Sequence, residues 1–241
     1  PQMYPSAAID DNGNIAVVVR TDNEVSVEWY NSSGSQLGST TRIDSGNGNT
    51  KNEVSVAMTA AGTVVTWTES GTEIYGQLYN ASRVAVGGNF HVNTTTTGTQ
   101  TQSSVGMDST GAFVVSWTST QGGTSDIFAQ RFSSTAAKVG SEFQVNTTST
   151  DAQVASSVAV DSTGAFLIAW QSNLQDGSGT GIYVRQYQAD GFAGLYEQRV
   201  NTTTSNAQSA PSVAFSGSQA VVLWSGNGTG DSSGVFAQRF T

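Results

Sequence analysis

Four tryptophans, Trp67, Trp117, Trp170 and Trp224, follow one another at intervals of 50, 53 and 54 residues, each at the end of an apolar run. The text around them returns with them. SSVGMDSTGAFVVSW starts at Ser103, SSVAVDSTGAFLIAW at Ser156, PSVAFSGSQAVVLW at Pro211 and VSVAMTAAGTVVTW at Val54. A first copy from Pro5, PSAAIDDNGNIAVVV, has Val19 where the tryptophan would stand. Self-similarity at this period means one structural unit per copy, each burying its faces against its neighbours. The units run about 1–52, 53–102, 103–155, 156–210 and 211–241 and make a single repeat domain, with the fifth unit incomplete.

Each unit carries four β signals between turn signals. In the third, residues 104–107 are short and apolar, and Asp108 followed by Gly111 has the chemistry of a tight turn. Residues 112–117 put Phe113, Val115 and Trp117 on one face and Val114 and Ser116 on the other. Residues 126–132 alternate in the same way, with Phe128, Gln130 and Phe132 opposite Ile127, Ala129 and Arg131. A fourth run, residues 142–146, leads into a Thr-rich connection. Apolar residues never recur at helical spacing over a long window, so the chain is all-β.

Bulk on both faces of the middle strands predicts a sheet sandwiched between two others. Ala57, Gly106, Ala159 and Ala214 keep the first strand narrow, as the crowded axis of a wheel requires. These features predict a five-bladed β-propeller of four-stranded antiparallel blades, the last blade incomplete. The alternative is an open row of repeated small sheets. The fifth unit stops at Thr241 without a counterpart of EFQVNTT. Either residues 1–4 supply a stub of that strand, or the blade has three strands, or the chain is a piece of a longer one. An uncovered strand edge there would dock a strand from another molecule.

Composition argues against several function classes. Eighteen acids against nine bases give a net charge of -9, which repels phosphate backbones and speaks against a nucleic-acid partner. The absence of cysteine removes disulfides, zinc–thiolate sites and thiol nucleophiles together. No apolar run is long enough to span a bilayer, and the opening PQMYPSAAID has neither a basic nor an apolar leader pattern.

Few side chains stand out as chemistry. The four periodic tryptophans are expected in the core. Trp29, which stands where Arg131 and Arg239 stand in other units, is the candidate exposed aromatic for ligand binding. Asp10, Asp108 and Asp161 occupy one position of the unit, so they cap turns; equivalent positions do not split two carboxylate pKa values as hydrolysis requires. Asp176 and Asp231, in Gly-Ser loops, are the candidate metal ligands, for calcium, and no other cofactor is expected. Arg131 and Arg239 are expected to pair with a carboxylate such as Glu142. His91 is expected on a strand surface. Asn31, Asn80, Asn93, Asn146, Asn201 and Asn227 begin Asn-X-Ser/Thr sequons.

SVGMDSTGAFVVSW, DGSGTGIY, GVFAQRF and GSEFQVNTT, as they stand here, resemble a repeat of large secreted bacterial surface proteins, where such repeats accompany adhesion modules and calcium-binding glycine-rich repeats. The resemblance is close from residue 53 onward and loose before it. It implies a non-enzymatic, extracellular or cell-surface binding and adhesion module, whose partner is a glycan or another surface protein, with affinity multiplied by repetition. One alternative is a structural subunit of a surface filament, self-associating by strand addition at the open edge of the last blade. The other is a propeller glycosidase using channel-end acids.

Overall fold

The computed structural model describes residues 3–44, 46–194, 196–228 and 231–240. Every repeat folds into one antiparallel sheet whose strands lie side by side in chain order. The first sheet holds β1 (Met3–Ile9), β2 (Ile15–Arg20), β3 (Val25–Tyr30) and β4 (Thr41–Arg42). The second holds β5 (Lys51–Thr59), β6 (Gly62–Glu69), β7 (Glu73–Asn80) and β8 (Ala85–His91). The third holds β9 (Gln100–Met107), β10 (Phe113–Ser119), β11 (Asp126–Phe132) and β12 (Lys138–Gln144). The fourth holds β13 (Gln153–Val160), β14 (Phe166–Asn173), β15 (Thr180–Tyr187) and β16 (Gln198–Arg199). The fifth has three strands among the described residues, β17 (Ser209–Ser216), β18 (Gln219–Gly228) and β19 (Asp231–Phe240). Met3 pairs with Arg20 in the first sheet, so it is not a stub of the fifth; residues 1 and 2 lie outside the described residues.

The first strand of each sheet is longer than its apolar core because it continues through a bulge. Glu53, Gln102, Ala155 and Ala210 sit at these bulges with φ of 44°, 56°, 55° and 53°, in the left-handed region. Such backbone costs on the order of 1–3 kcal/mol per residue unless its surroundings hold it. At Gln102, Ala155 and Ala210 the preceding sheet does so. The amide of Gln102 donates to Glu53 Oε2 (2.6 Å), that of Ala155 to Gln102 Oε1 (3.2 Å) and that of Ala210 to Gln171 Oε1 (2.8 Å). A second row of links lies one turn of the pleat away: Val105, Val158 and Val213 donate to the hydroxyls of Ser55, Ser104 and Ser157.

Consecutive sheets pack face to face through four buried clusters, one for each pair from first–second to fourth–fifth. The alternation expected from sequence holds. Phe113, Val115 and Trp117 face the second sheet, and Val114, Ile127 and Ala129 face the fourth. Gly106 marks how close the inner strands come: a Cβ there would meet Val160 Cγ2 at 2.9 Å and Ala159 Cα at 3.2 Å.

The buried indoles are polar as well as bulky. Trp117, Trp170 and Trp224 donate Nε1–H to Gln100, Gln153 and Gln208, fully buried glutamines at or just before the start of each inner strand. The second sheet departs from this. Lys51 replaces the glutamine and cannot accept a hydrogen bond, so Trp67 donates to Glu69 Oε2 instead (3.4 Å). Lys51 is wholly buried, with Nζ 3.2 Å from Glu69 and 3.7 Å from Asp44. Arg42 closes the group with a fork of hydrogen bonds onto Asp44.

Candidate functional site

The turns between first and second strands all end at one side of the molecule. In three of them an aspartate shapes the backbone. Asp10 Oδ1 accepts the amides of Asn12 and Asn14, Asp108 Oδ1 those of Thr110 and Ala112, and Asp161 Oδ1 those of Thr163 and Ala165. Gly13, Gly111 and Gly164 complete the turns at φ of 78°, 87° and 92°, where a glycine is needed. All three acids therefore cap their turns through Oδ1, as expected.

The five turns converge. A cavity of about 380 Å³ is lined by Asp11, Thr59, Ser109, Asp161 and Ser216, one residue from each sheet among its walls. A straight row of sheets could not bring all five turns to one cavity, so the sheets surround a common axis. Two clefts open beside the axial mouth. One of about 410 Å³, between the fourth and fifth sheets, is lined by Asp161, Phe166, Tyr187, Phe192 and Phe215. The other, about 340 Å³, lies at the equivalent place one repeat earlier and is lined by Asp108, Phe113, Phe132 and Val160. Arg131 crosses beside it and donates to the carbonyl of Ala189 (2.9 Å). Gln186 stands in the position of Arg131 in the next repeat, and the exposed ring of Phe192 borders that cleft.

Two acids of the axial mouth are unlike each other. Asp11 is exposed on the turn of the first sheet. Asp161 is half-buried; its Oδ1 takes all the hydrogen bonds of its turn, and its Oδ2 takes none among the described residues. They come from different positions of the repeat unit, so the equivalence that disfavoured a split pair does not apply to them. Asp11 carried a signal in the sequence, the doubled Asp10-Asp11 found only in the first unit.

At the opposite end of the axis a cavity of about 530 Å³ is lined by Arg20, Asn52, Glu53, Thr68 and Thr101. Glu53 Oε2 accepts Thr68 Oγ1 and the Gln102 amide, so this carboxylate is engaged in holding the bulges. One acid lines this end, against two at the turn end.

Other residues singled out by sequence are structural. Trp29 is not exposed: it is 4% accessible and packs edge-on against Tyr79, ring centroids 5.1 Å apart, between the first and second sheets. The room it fills lies over Ala16, its cross-strand partner, where the other units carry valine or leucine. Asp176 accepts Asn201 Nδ2 (3.1 Å), the same service that Asp126 performs for Asn146. Asp231 caps its own turn through the Ser233 amide. No group of three or more His, Cys, Asp and Glu among the described residues could hold a metal. Glu142 does not pair with Arg131. It accepts the Thr94 and Thr95 amides and the Thr95 hydroxyl, clasping the connection before its own sheet. Arg239 lies exposed on β19, and His91 contacts Glu73 at 2.8 Å on a strand surface. Asn93, Asn146 and Asn201 are buried and accept the amides of Ile74, Ile127 and Ile182, which closes those three sequons to glycosylation.

Several carboxylates are held below their ordinary values. Burial pushes Asp44, Glu69 and Glu197 up, but hydrogen bonds from Arg42 and Gly46, from Asn49, Asn47 and Lys51, and from Thr147, Thr148 and Gln175 outweigh it. A depressed carboxylate stabilises the fold above its ordinary value, and that contribution is lost as pH falls through the folded value. The midpoint of thermal unfolding should therefore decline as pH drops below about 4.5, the ordinary value for glutamate. Glu197→Gln should flatten part of the decline. A midpoint that holds or rises down to pH 3 would contradict this assignment (~1 pH unit below the usual carboxylate range).

No protein-family model matches the chain, and no curated protein is similar to it in sequence. Solved structures are similar in fold. An α-L-arabinanase of Penicillium chrysogenum, complexed with arabinobiose, aligns at TM-score 0.60 with 12% identity, over 92% of this chain and 74% of that one. A GH93 α-L-arabinofuranosidase of Fusarium graminearum, also with arabinobiose, aligns at 0.57 with 9% identity, over 98% and 80%. An endo-arabinase of Bacteroides thetaiotaomicron aligns at 0.53 with 12% identity, over 98% and 93%. The fold is a five-bladed β-propeller.

At these identities the likeness carries the fold alone. That corrects the expectation that this propeller is no enzyme: an arabinanase and an arabinofuranosidase share the fold, so the fold does not speak against an enzyme. Nothing in the comparisons supports the resemblance to surface-protein repeats beyond the propeller repeat itself. No helix among the described residues is long and apolar enough to cross a membrane.

Proposed function

We propose that this propeller is a glycosidase acting on a neutral polysaccharide of the arabinan type, at the turn end of its axis. The observation that carries this is the meeting of two inequivalent carboxylates, Asp11 and Asp161, in one axial cavity on a fold shared with arabinan-degrading enzymes. Glycoside hydrolysis needs one carboxyl group to hold a proton for the leaving oxygen and a second to act on the opposite side of the sugar ring. Asp161, with Oδ2 uncommitted among the described residues, and Asp11, exposed on the turn of the first sheet, would divide these two roles between them. The aromatic cleft between the fourth and fifth blades continues from Asp161 and would hold the next sugar against Phe192 and Phe215. A net charge of -9 favours neutral over uronate-rich or sulfated glycans. A polymeric substrate of this size is met outside the cell, which supports an extracellular setting.

The test is release of reducing sugar from a panel of neutral plant and bacterial polysaccharides, arabinan included. Asp161→Asn and Asp11→Asn should each lower turnover by about 10²–10⁴-fold with unchanged unfolding midpoints. Absence of turnover by the unaltered protein across the panel would end the proposal.

A further inference from the structure

Among the described residues, four of the five blade faces that look toward a following blade are covered, and one is not. In the fourth blade that face presents Leu167, Ala169, Ile182 and Val184, each 1% accessible or less. Strand register puts Val221, Leu223, Val235 and Ala237 at the same places in the fifth. There Leu223 is 41% and Val235 73% accessible. The matching gap is on the first blade. Ile15, Val17 and Val19 correspond to Phe113, Val115 and Trp117, which are buried on the preceding blade, but are themselves only half-buried, and Ile9 beside them is 63% accessible. No buried cluster joins the first and fifth blades among the described residues, and the hydroxyl-to-amide links around the axis run from the second blade to the fifth.

We infer that the outward face of the fifth blade docks the first blade of a second copy of this chain, in a head-to-tail association. The four internal interfaces define what covers such a face: the inner two strands of a following repeat. Among the described residues the first blade is the one whose backward face is uncovered, and it carries the right apolar side chains in the right register. Both halves of a single interface thus lie exposed on one molecule, the condition for heterologous, open-ended assembly. Charge opposes the contact, because each copy carries -9, so added salt should strengthen it.

Sedimentation or light scattering over a concentration series tests this with three proteins. The unaltered chain should grow in mass with concentration, and more so at higher salt. Leu223→Asp, which spoils the fifth face, and Val17→Asp, which spoils the first, should each remain monomeric with native circular dichroism. An equimolar mixture should form dimers and stop there, because each variant keeps the half that the other lacks. A monomeric unaltered chain at every concentration overturns the inference. So does association that neither substitution changes. So, too, does a large fall in unfolding midpoint for both variants without any change in mass, which would mean that the two blades close on each other within one molecule.

Discussion

Trp170→Ala should lower stability by about 3–5 kcal/mol, as large aromatic-to-alanine changes in a core do. The indole is completely buried between the third and fourth blades, stacked on Tyr183 with centroids 6.4 Å apart. Truncation leaves a cavity, and it also strands Gln153 Oε1, which is buried and accepts from the indole at 3.0 Å. An orphaned buried acceptor costs about 1–3 kcal/mol in its own right. Two further proteins separate these contributions. Trp170→Phe keeps most of the bulk while stranding the glutamine, so it should still be clearly destabilised. Adding Gln153→Leu to Trp170→Phe removes the stranded group and should recover part of the loss. Urea unfolding midpoints give the comparison. If Trp170→Ala unfolds at the same midpoint as the parent, the tryptophan is not the wedge between blades.

Lys51→Met should cost nearly as much, about 3–5 kcal/mol, because it leaves the buried carboxylates of Glu69 and Asp44 without their shared cation. The repeat itself suggests how to undo the damage. Where the second blade has Lys51 and Glu69 and the first has Asp44, the third blade has Gln100 and Ser119 and the second has Asn93. The triple variant Lys51→Gln, Glu69→Ser, Asp44→Asn rewrites this junction in the neutral form used by its neighbours. Trp67 then regains a glutamine acceptor, and the asparagine introduced by Asp44→Asn can accept the Val25 amide as Asn146 accepts that of Ile127. The triple variant should be within about 1.5 kcal/mol of the parent, since a well-matched replacement of a buried ion group is often neutral. It should also lose part of the acid lability, because two depressed carboxylates are gone. A triple variant as unstable as Lys51→Met would show that the junction depends on its charges for more than mutual neutralisation.

Much of the wheel was legible residue by residue. The alternation of Phe113, Val115 and Trp117 with Val114 predicted two covered faces, and the clusters on either side of β10 have that membership. The Asp-to-Gly spacing predicted capped turns, and Asp108 and Asp161 cap them. Gln100 was missed because it lies beyond a bulge that no local pattern announces, outside the apolar run that marks the strand. Trp29 was misplaced by reasoning from its repeat position, where other units carry arginine. Its burial follows from Ala16 and Tyr79, which belong to different strands and different blades. Arg131 was assigned a carboxylate and found a carbonyl, because the turn holding Ala189 comes from the following repeat.

The chain's own text determined the period, the strand content and which side chains face a neighbour, because burial alternates with local spacing and repeats with the unit. The tertiary structure alone decided that Asp11 and Asp161 line one cavity at the axis, that clefts open beside it, and that Leu223 and Val235 of the fifth blade are exposed. Those outcomes depend on how far successive blades rotate about a common line, and no stretch of sequence encodes that angle by itself.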